Sequence, residues 1–139
     1  MRHAFTLVEI LIVVVILGIL AAVIVPALAG ATDDAAEATT QSELQKIRRA
    51  LDVYMARWDG SPPPIAEGGT AASWGPLVSV DYLKSPPVNP WVGAANDQVI
   101  VHGTSADSAY QTTHAWVFNP STGEIWAGGF DASDNPLPR

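Results

Sequence analysis

Residues 10–31 read ILIVVVILGILAAVIVPALAGA and contain no charged side chain. At about 1.5 Å per residue, a helix of this length extends roughly 33 Å, which is enough to cross a hydrocarbon core of about 30 Å. A cleaved secretory signal has a shorter apolar core, of about 7–15 residues, followed by a small-x-small site. We therefore predict that this stretch is a membrane-spanning helix.

Charged residues flank the predicted span unequally. Arg2 precedes it, whereas Asp33, Asp34 and Glu37 follow it. By the positive-inside rule, the N-terminus then lies in the cytoplasm and the rest of the chain lies on the other side of the membrane.

Composition restricts the function of the remaining chain. The 139 residues include no cysteine, which excludes disulfides, a thiol nucleophile and cysteine-ligated metals. A formal net charge of −7 argues against nucleic acid as a partner. His102 and His114 have no acidic residue at zinc-ligand spacing, and neither a nucleophile elbow nor a phosphate-binding glycine loop occurs. We predict a protein that is not an enzyme and has no cofactor.

One acidic residue lies within the apolar sequence near its start. Glu9 is part of FTLVEILIVVVI, residues 5–16. A carboxylate in the centre of a span costs about 2.5–3.5 kcal/mol and less near the edge, so such a residue usually marks a function. The alternative is a glutamate that reaches the lipid headgroups from the first turn of the helix.

The stretch HAFTLVEILIVVVILGILAAVIVPAL, residues 3–28, resembles the N-terminus of type IV pilins and of the pseudopilins of type II secretion systems. The resemblance implies a leader of residues 1–4, a prepilin peptidase that cuts after Ala4, and N-methylation of Phe5. The family usually has glycine where this chain has Ala4. Alanine is also small, so we expect cleavage here.

In that family, Glu9 is the fifth residue of the mature chain, and Gly18 and Pro26 match the glycine and proline that loosen the helix. A buried carboxylate needs a cation, and cleavage before Phe5 creates an α-amino group. We expect Glu9 to pair with this ammonium on the neighbouring subunit of a filament. Because Pro26 removes a backbone hydrogen bond, we expect a kink or local melting between Gly18 and Pro26.

Beyond the span the sequence becomes amphipathic. Gly60 and the prolines after it end this pattern. The amphipathic pattern predicts a helix over residues 32–59 that continues from the span over residues 5–31. The apolar stripe of this second half of the helix is predicted to pack against a head of residues 60–139. The stripe follows spacings of three and four residues and consists of Leu44, Ile47, Leu51, Tyr54 and Trp58.

The head has strand character in residues 98–102, 114–119 and 124–127. This pattern predicts an α+β, pilin-like fold in which a three-stranded antiparallel sheet packs on the long helix. The predicted head consists of a loop (61–96), the sheet region (97–130) and a tail (131–139), with Trp116 and Trp126 in its core.

Two segments of the head also resemble the family. DYLKSPPVNPWVG (81–93) looks like a loop of the major pseudopilins, with Asn89 where an aspartate is usual and Gly93 one residue late. WVFNPSTGEIWA (116–127) is similar to the closing hairpin of many members. Major pseudopilins tend to end in a calcium loop, whereas this tail lacks the usual Asp-Gly pattern, so a solvated tail is the alternative to calcium. The candidate calcium ligands are Asp131, Asp134 and Asn135.

The lack of cysteine favours a pseudopilin, because many type IV pilins close their C-terminal loop with a disulfide. The resemblance then implies a structural subunit of a type II secretion pseudopilus, with its head in the periplasm and a single pass through the bacterial inner membrane. The implied partners are copies of itself, other pseudopilins, the prepilin peptidase, and the inner-membrane assembly platform with its cytoplasmic ATPase. A type IV pilin for adhesion, motility or DNA uptake is the alternative within the family. A membrane-tethered binding domain is the alternative from another class.

Overall fold

The computed structural model describes residues 6–139, apart from the side chains of residues 26–29. One long helix is followed by two short 3-10 helices and three strands, which confirms the predicted α+β class. The chain divides into two compact units, Met1–Ala35 and Ala36–Arg139. The elements in chain order are α1 (Leu7–Arg57), 3-10 helices at Ala71–Leu77 and Pro90–Val92, β1 (Ile100–His102), β2 (Trp116–Phe118) and β3 (Ile125–Ala127).

In the first unit, residues 7–25 of α1 expose a surface that is apolar except at Glu9. Every side chain of residues 7–25 is exposed, and the helix is long and apolar enough to cross a membrane by length and composition. The backbone is helical at both Gly18 and Pro26, so the helix does not melt between them, because losing one backbone bond leaves the neighbouring ones in place. The kink expected there stays a prediction.

In the second unit, one face of α1 packs against the head. Leu44, Ile47 and Leu51 are at most 2% exposed, and Tyr54 is 8% exposed. The expectation that Trp58 continues this core is wrong, because its side chain is 58% exposed. It lies beyond the end of α1 and stacks on Tyr54, with the ring centroids 5.9 Å apart.

The sheet has the order β1-β2-β3 and is mixed. β2 and β3 pair antiparallel as a hairpin, but β1 and β2 pair parallel, which corrects the prediction of a fully antiparallel sheet. Parallel neighbours need a connection of about a dozen residues or more. Residues 103–115 supply it, because they let the chain return to the starting end of β1 before β2 begins.

The core of the head is built around buried aromatic rings. Trp74 from the 61–96 loop and Trp116 from β2 are both fully buried and meet edge to face, with centroids 6.3 Å apart. The expectation that Trp126 belongs to this core is also wrong. Trp126 is half-buried and points to the face of β3 opposite the buried Ile125 and Ala127, because side chains alternate along a strand.

Asn89 is a fully buried polar residue that links four segments of the head. Its side-chain N–H groups donate to the carbonyl oxygens of Ala115 and Gly128, each at 2.9 Å. Its Oδ1 accepts from the backbone N–H of Trp91 at 3.0 Å and from the hydroxyl of Thr40 at 2.9 Å, whose single hydrogen is shared with the carbonyl of Ala36. Both halves of the amide are therefore used, and its orientation is determined by two acceptors on one side and two donors on the other.

Asn89→Asp tests this requirement for an amide. A carboxylate would keep the two accepted bonds but would face the carbonyl oxygens of Ala115 and Gly128 with no hydrogen to donate. We expect the free energy of unfolding to fall by about 2–4 kcal/mol, measured by chemical denaturation of the full-length chain in detergent with tryptophan fluorescence as the signal.

The matched control is Asn119→Asp. Asn119 is also buried, but its Oδ1 only accepts bonds, from the N–H groups of Ser121 and Thr122. An aspartate keeps both bonds, so we expect little change in stability. Equal losses for the two variants would contradict the assigned role of Asn89.

Candidate assembly site at the start of the helix

The first turn of α1 is closed by a reciprocal pair of side chains. Oε2 of Glu9 accepts from the backbone N–H of Thr6 and from its hydroxyl, both at 2.8 Å. The N–H of Glu9 in turn donates to Oγ1 of Thr6 at 3.3 Å. This is a capping box, which satisfies backbone donors that have no partner inside the helix.

The capped carboxylate lies beside an exposed apolar surface. Thr6, Leu7, Ile10, Leu11 and Val14 line a shallow groove on this part of the helix. An apolar surface of this kind is stable only when lipid or another helix covers it. The two donors of Thr6 are neutral, so they bind the carboxylate of Glu9 without neutralising its charge, and an ionised Glu9 covered by lipid or another helix would need a cation.

This arrangement can recognise a cation presented by a neighbouring helix. Thr6 holds Oε2 of Glu9, so the carboxylate has a defined position rather than a free rotamer. A paired charge within an apolar contact is far more favourable than an unpaired one. The geometry is therefore suited to selecting and aligning a helix that carries a positive group at a matching depth.

The other residues predicted for this region differ in what the structure says of them. Ala4 and Phe5 lie outside the described residues, so cleavage and methylation stay predictions. At Gly18 a Cβ atom would meet nothing within 4 Å, so no contact among the described residues requires glycine there. The side chain of Pro26 is also outside the described part of the chain.

The predicted calcium ligands lie in the C-terminal tail, and both carboxylates already face N–H donors. Oδ1 of Asp131 accepts from the backbone N–H groups of Ser133 and Asn135 at 2.8 and 2.9 Å. The N–H and side-chain amide of Asn135 hold the pKa of Asp131 below its usual value. The carboxylate of Asp134 is bound by the guanidinium of Arg48.

This donor set does not fit calcium. In proteins, a calcium ion is typically bound by about six to eight oxygen atoms. Within residues 6–139 there is no group of three or more acidic, histidine or cysteine side chains that could hold a metal ion. The side chain of Asn135 also turns its nitrogen, not its oxygen, toward Asp131.

Sequence reasoning missed two residues of these sites. Thr6 was recognisable, because Thr6-Leu-Val-Glu9 has the spacing of a capping box. Arg48 carried no such signal, because it lies 86 residues from Asp134 along the chain.

An exposed apolar helix with a capped acid near its start, followed by a small α+β head, defines a pilin-like subunit. Residues 1–25 match the prokaryotic N-terminal methylation motif. The chain is 36% identical over 102 residues to type II secretion system core protein G of Pseudomonas aeruginosa, which covers 65% of this chain and 68% of that protein. It is 33% identical over 110 residues to the protein of the same name from Escherichia coli, covering 73% of this chain and 72% of that one.

The chain therefore belongs to the family of type II secretion system core protein G. The resemblance to the pseudopilins read from the sequence is confirmed. No solved structure gives a significant match to this one.

Thr6→Ala tests whether the capping box positions Glu9. The variant removes the hydroxyl that binds Glu9 in both directions, at a cost of about 1 kcal/mol to the helix start. We expect filament yield to fall by about fivefold, because a less firmly held Glu9 side chain would lose about 1 kcal/mol more of rotamer entropy on assembly; the measurement is immunoblotting of filaments sheared from cells.

Thr6→Ser is the matched control, because serine keeps the hydroxyl and caps helices equally well. Intact mass should show normal processing of both variants. Normal filament yield from Thr6→Ala would show that the box has no part in assembly.

Proposed function

We propose that this chain is a structural subunit of a type II secretion pseudopilus that polymerises through its N-terminal helix to drive protein export. The observation that carries the proposal is Glu9, a positioned carboxylate on an otherwise apolar, exposed helix surface. Membership of the core protein G family agrees with it. The work done by such a subunit is mechanical, since it comes from adding subunits to a filament.

Assembly would bury the apolar surface of residues 7–25 against neighbouring helices. These side chains are 51–83% exposed where they are large and apolar, so they are free to pack against neighbouring helices in place of lipid, and van der Waals packing would favour association. Burial alone does not select an axial position, because many offsets between two apolar helices bury similar areas. A charge pair does select one, since any other offset leaves Glu9 without a cation.

The cation in this proposal is the α-ammonium of Phe5 on the adjacent subunit. It exists only after a prepilin peptidase has cut between Ala4 and Phe5. In the uncut chain, residues 1–4 extend the N-terminus beyond the position that Glu9 requires. Under this proposal, a subunit can assemble only after it has been cleaved.

The proposed topology has a single pass through the bacterial inner membrane, with the N-terminus in the cytoplasm and the head in the periplasm. Arg2 before the span and Asp33, Asp34 and Glu37 after it support this orientation. The proposed partners are copies of itself, other pseudopilins, the peptidase, and an assembly platform whose cytoplasmic ATPase supplies energy.

Processing is tested by intact mass of the protein from membranes of cells with and without prepilin peptidase. We expect loss of Met1–Ala4 and one added methyl group on Phe5, only when the peptidase is present. Ala4→Gly should still be cut, whereas Ala4→Leu should stay uncut, because the family resemblance implies a small residue before the cut. An uncut wild-type chain would contradict the proposal and favour a membrane-tethered domain.

Glu9→Ala tests the charge pair. We expect normal cleavage and a loss of filaments by at least about tenfold, because removing one member of a buried pair typically costs several kcal/mol. Glu9→Asp is the control, because it keeps the charge, and it should retain part of the filament assembly. Normal assembly of Glu9→Ala would contradict the pairing.

Deletion of the gene separates secretion from the alternative within the family. Exported proteins that accumulate in the periplasm, and are released again when the gene is restored, would support the pseudopilus. Loss of adhesion, motility or DNA uptake with normal export would instead identify a type IV pilin.

A further inference from the structure

The C-terminal tail folds back on itself as a closed loop. The N–H of Leu137 donates to the carbonyl of Gly129 at 2.9 Å, and that of Asp131 to the carbonyl of Asn135, also at 2.9 Å. Phe130 is fully buried at the base of this loop. The tail is therefore folded against the head, while its residues 131–139 remain exposed or half-buried, as in the solvated tail considered from the sequence.

Two side chains of α1 bind the tail from outside. Arg48 donates from both terminal nitrogens to the two carboxylate oxygens of Asp134, with 2.9 Å between Nη2 and Oδ1, and from Nη2 to the carbonyl of Ile125 at 3.2 Å. Gln41, two helical turns earlier, donates to the backbone carbonyl of Asp134 at 3.3 Å. Arg48 thus joins the helix, the start of β3 and the tail at one point.

We propose that the guanidinium of Arg48 is the counter-cation that holds the tail on α1, and that the head therefore folds without a divalent cation. A loop with two carboxylates needs positive charge or N–H donors nearby. Here Asp131 is satisfied by the loop's own N–H groups, and Asp134 is satisfied by Arg48.

The chemistry of arginine suits this role. Its planar group forms two parallel bonds to a carboxylate and stays charged at every physiological pH. The side chains of Arg48 and Asp134 are 35% and 28% exposed, so the pair keeps part of its hydration and avoids the full cost of burying two charges.

A calcium ion would compete with Arg48 rather than add to it. Binding Asp134 would require the ion to displace the guanidinium or to lie beside another positive charge, which is repulsive. At Asp131 it would also compete with the two N–H groups that already bind Oδ1.

The test is thermal unfolding of the full-length protein in detergent, with excess calcium or with excess chelator. We expect the same melting temperature in both, and the same hydrogen-exchange protection at the N–H groups of Ser133 and Asn135. A melting temperature that rises with calcium, or protection that appears only with calcium, would overturn the proposal.

Arg48→Gln tests directly whether Arg48 holds the tail on α1. We expect its melting temperature to fall by roughly 5 °C, with loss of protection in residues 131–135, whether calcium is present or not. The matched control is Arg49→Gln, which makes the same change one residue further along α1 at an exposed side chain. Equal behaviour of the two variants would overturn the proposal.

If Arg48→Gln does not fold, Asp134→Asn gives a second measure. An asparagine keeps the shape and the left-handed backbone of this position, where φ is 61°, but removes the charge that Arg48 binds. We expect the melting temperature of Asp134→Asn to lie below that of the wild-type chain and again to show no response to calcium. An unchanged melting temperature would overturn the proposal.

Discussion

The buried amide of Asn89 is the interaction on which the head most depends. Each of the three strands has only three residues, so the sheet alone offers few backbone bonds. Asn89 compensates by joining α1, the 61–96 loop, the residue before β2 and the residue after β3 through four hydrogen bonds. Because no water needs to replace these bonds, the aromatic core can close around them.

The apolar side chains of the two units are covered in different ways. The head buries its apolar side chains within itself, with Trp74, Trp116 and Phe130 fully enclosed. The N-terminal part of α1 leaves its apolar side chains exposed and depends on lipid or on other helices to cover them. A subunit built in this way can leave a membrane and enter a filament without unfolding its head, because the two surfaces are covered independently.

Features that depend on residues close together in the chain could be predicted from the sequence. The span, the 3-4 spacing of Leu44, Ile47 and Leu51, and the β2–β3 hairpin all depend on neighbours within a few residues. The errors arose where distance along the chain decides the outcome. The parallel pairing of β1 with β2 depends on where residues 103–115 lead the chain, and the exposure of Trp58 depends on where the head ends against α1.

Apolar length, charge and motif spacing are properties of contiguous residues, so the sequence alone was enough to predict a long apolar helix with an acid, Glu9, near its start and a small head after it. Which side chains bind one another depends on the tertiary fold. Arg48 meets Asp134 across 86 residues, and Asn89 meets carbonyls 26 and 39 residues away. Such partners are set by how the whole head packs, and no local pattern encodes a contact between segments that are brought together only by folding.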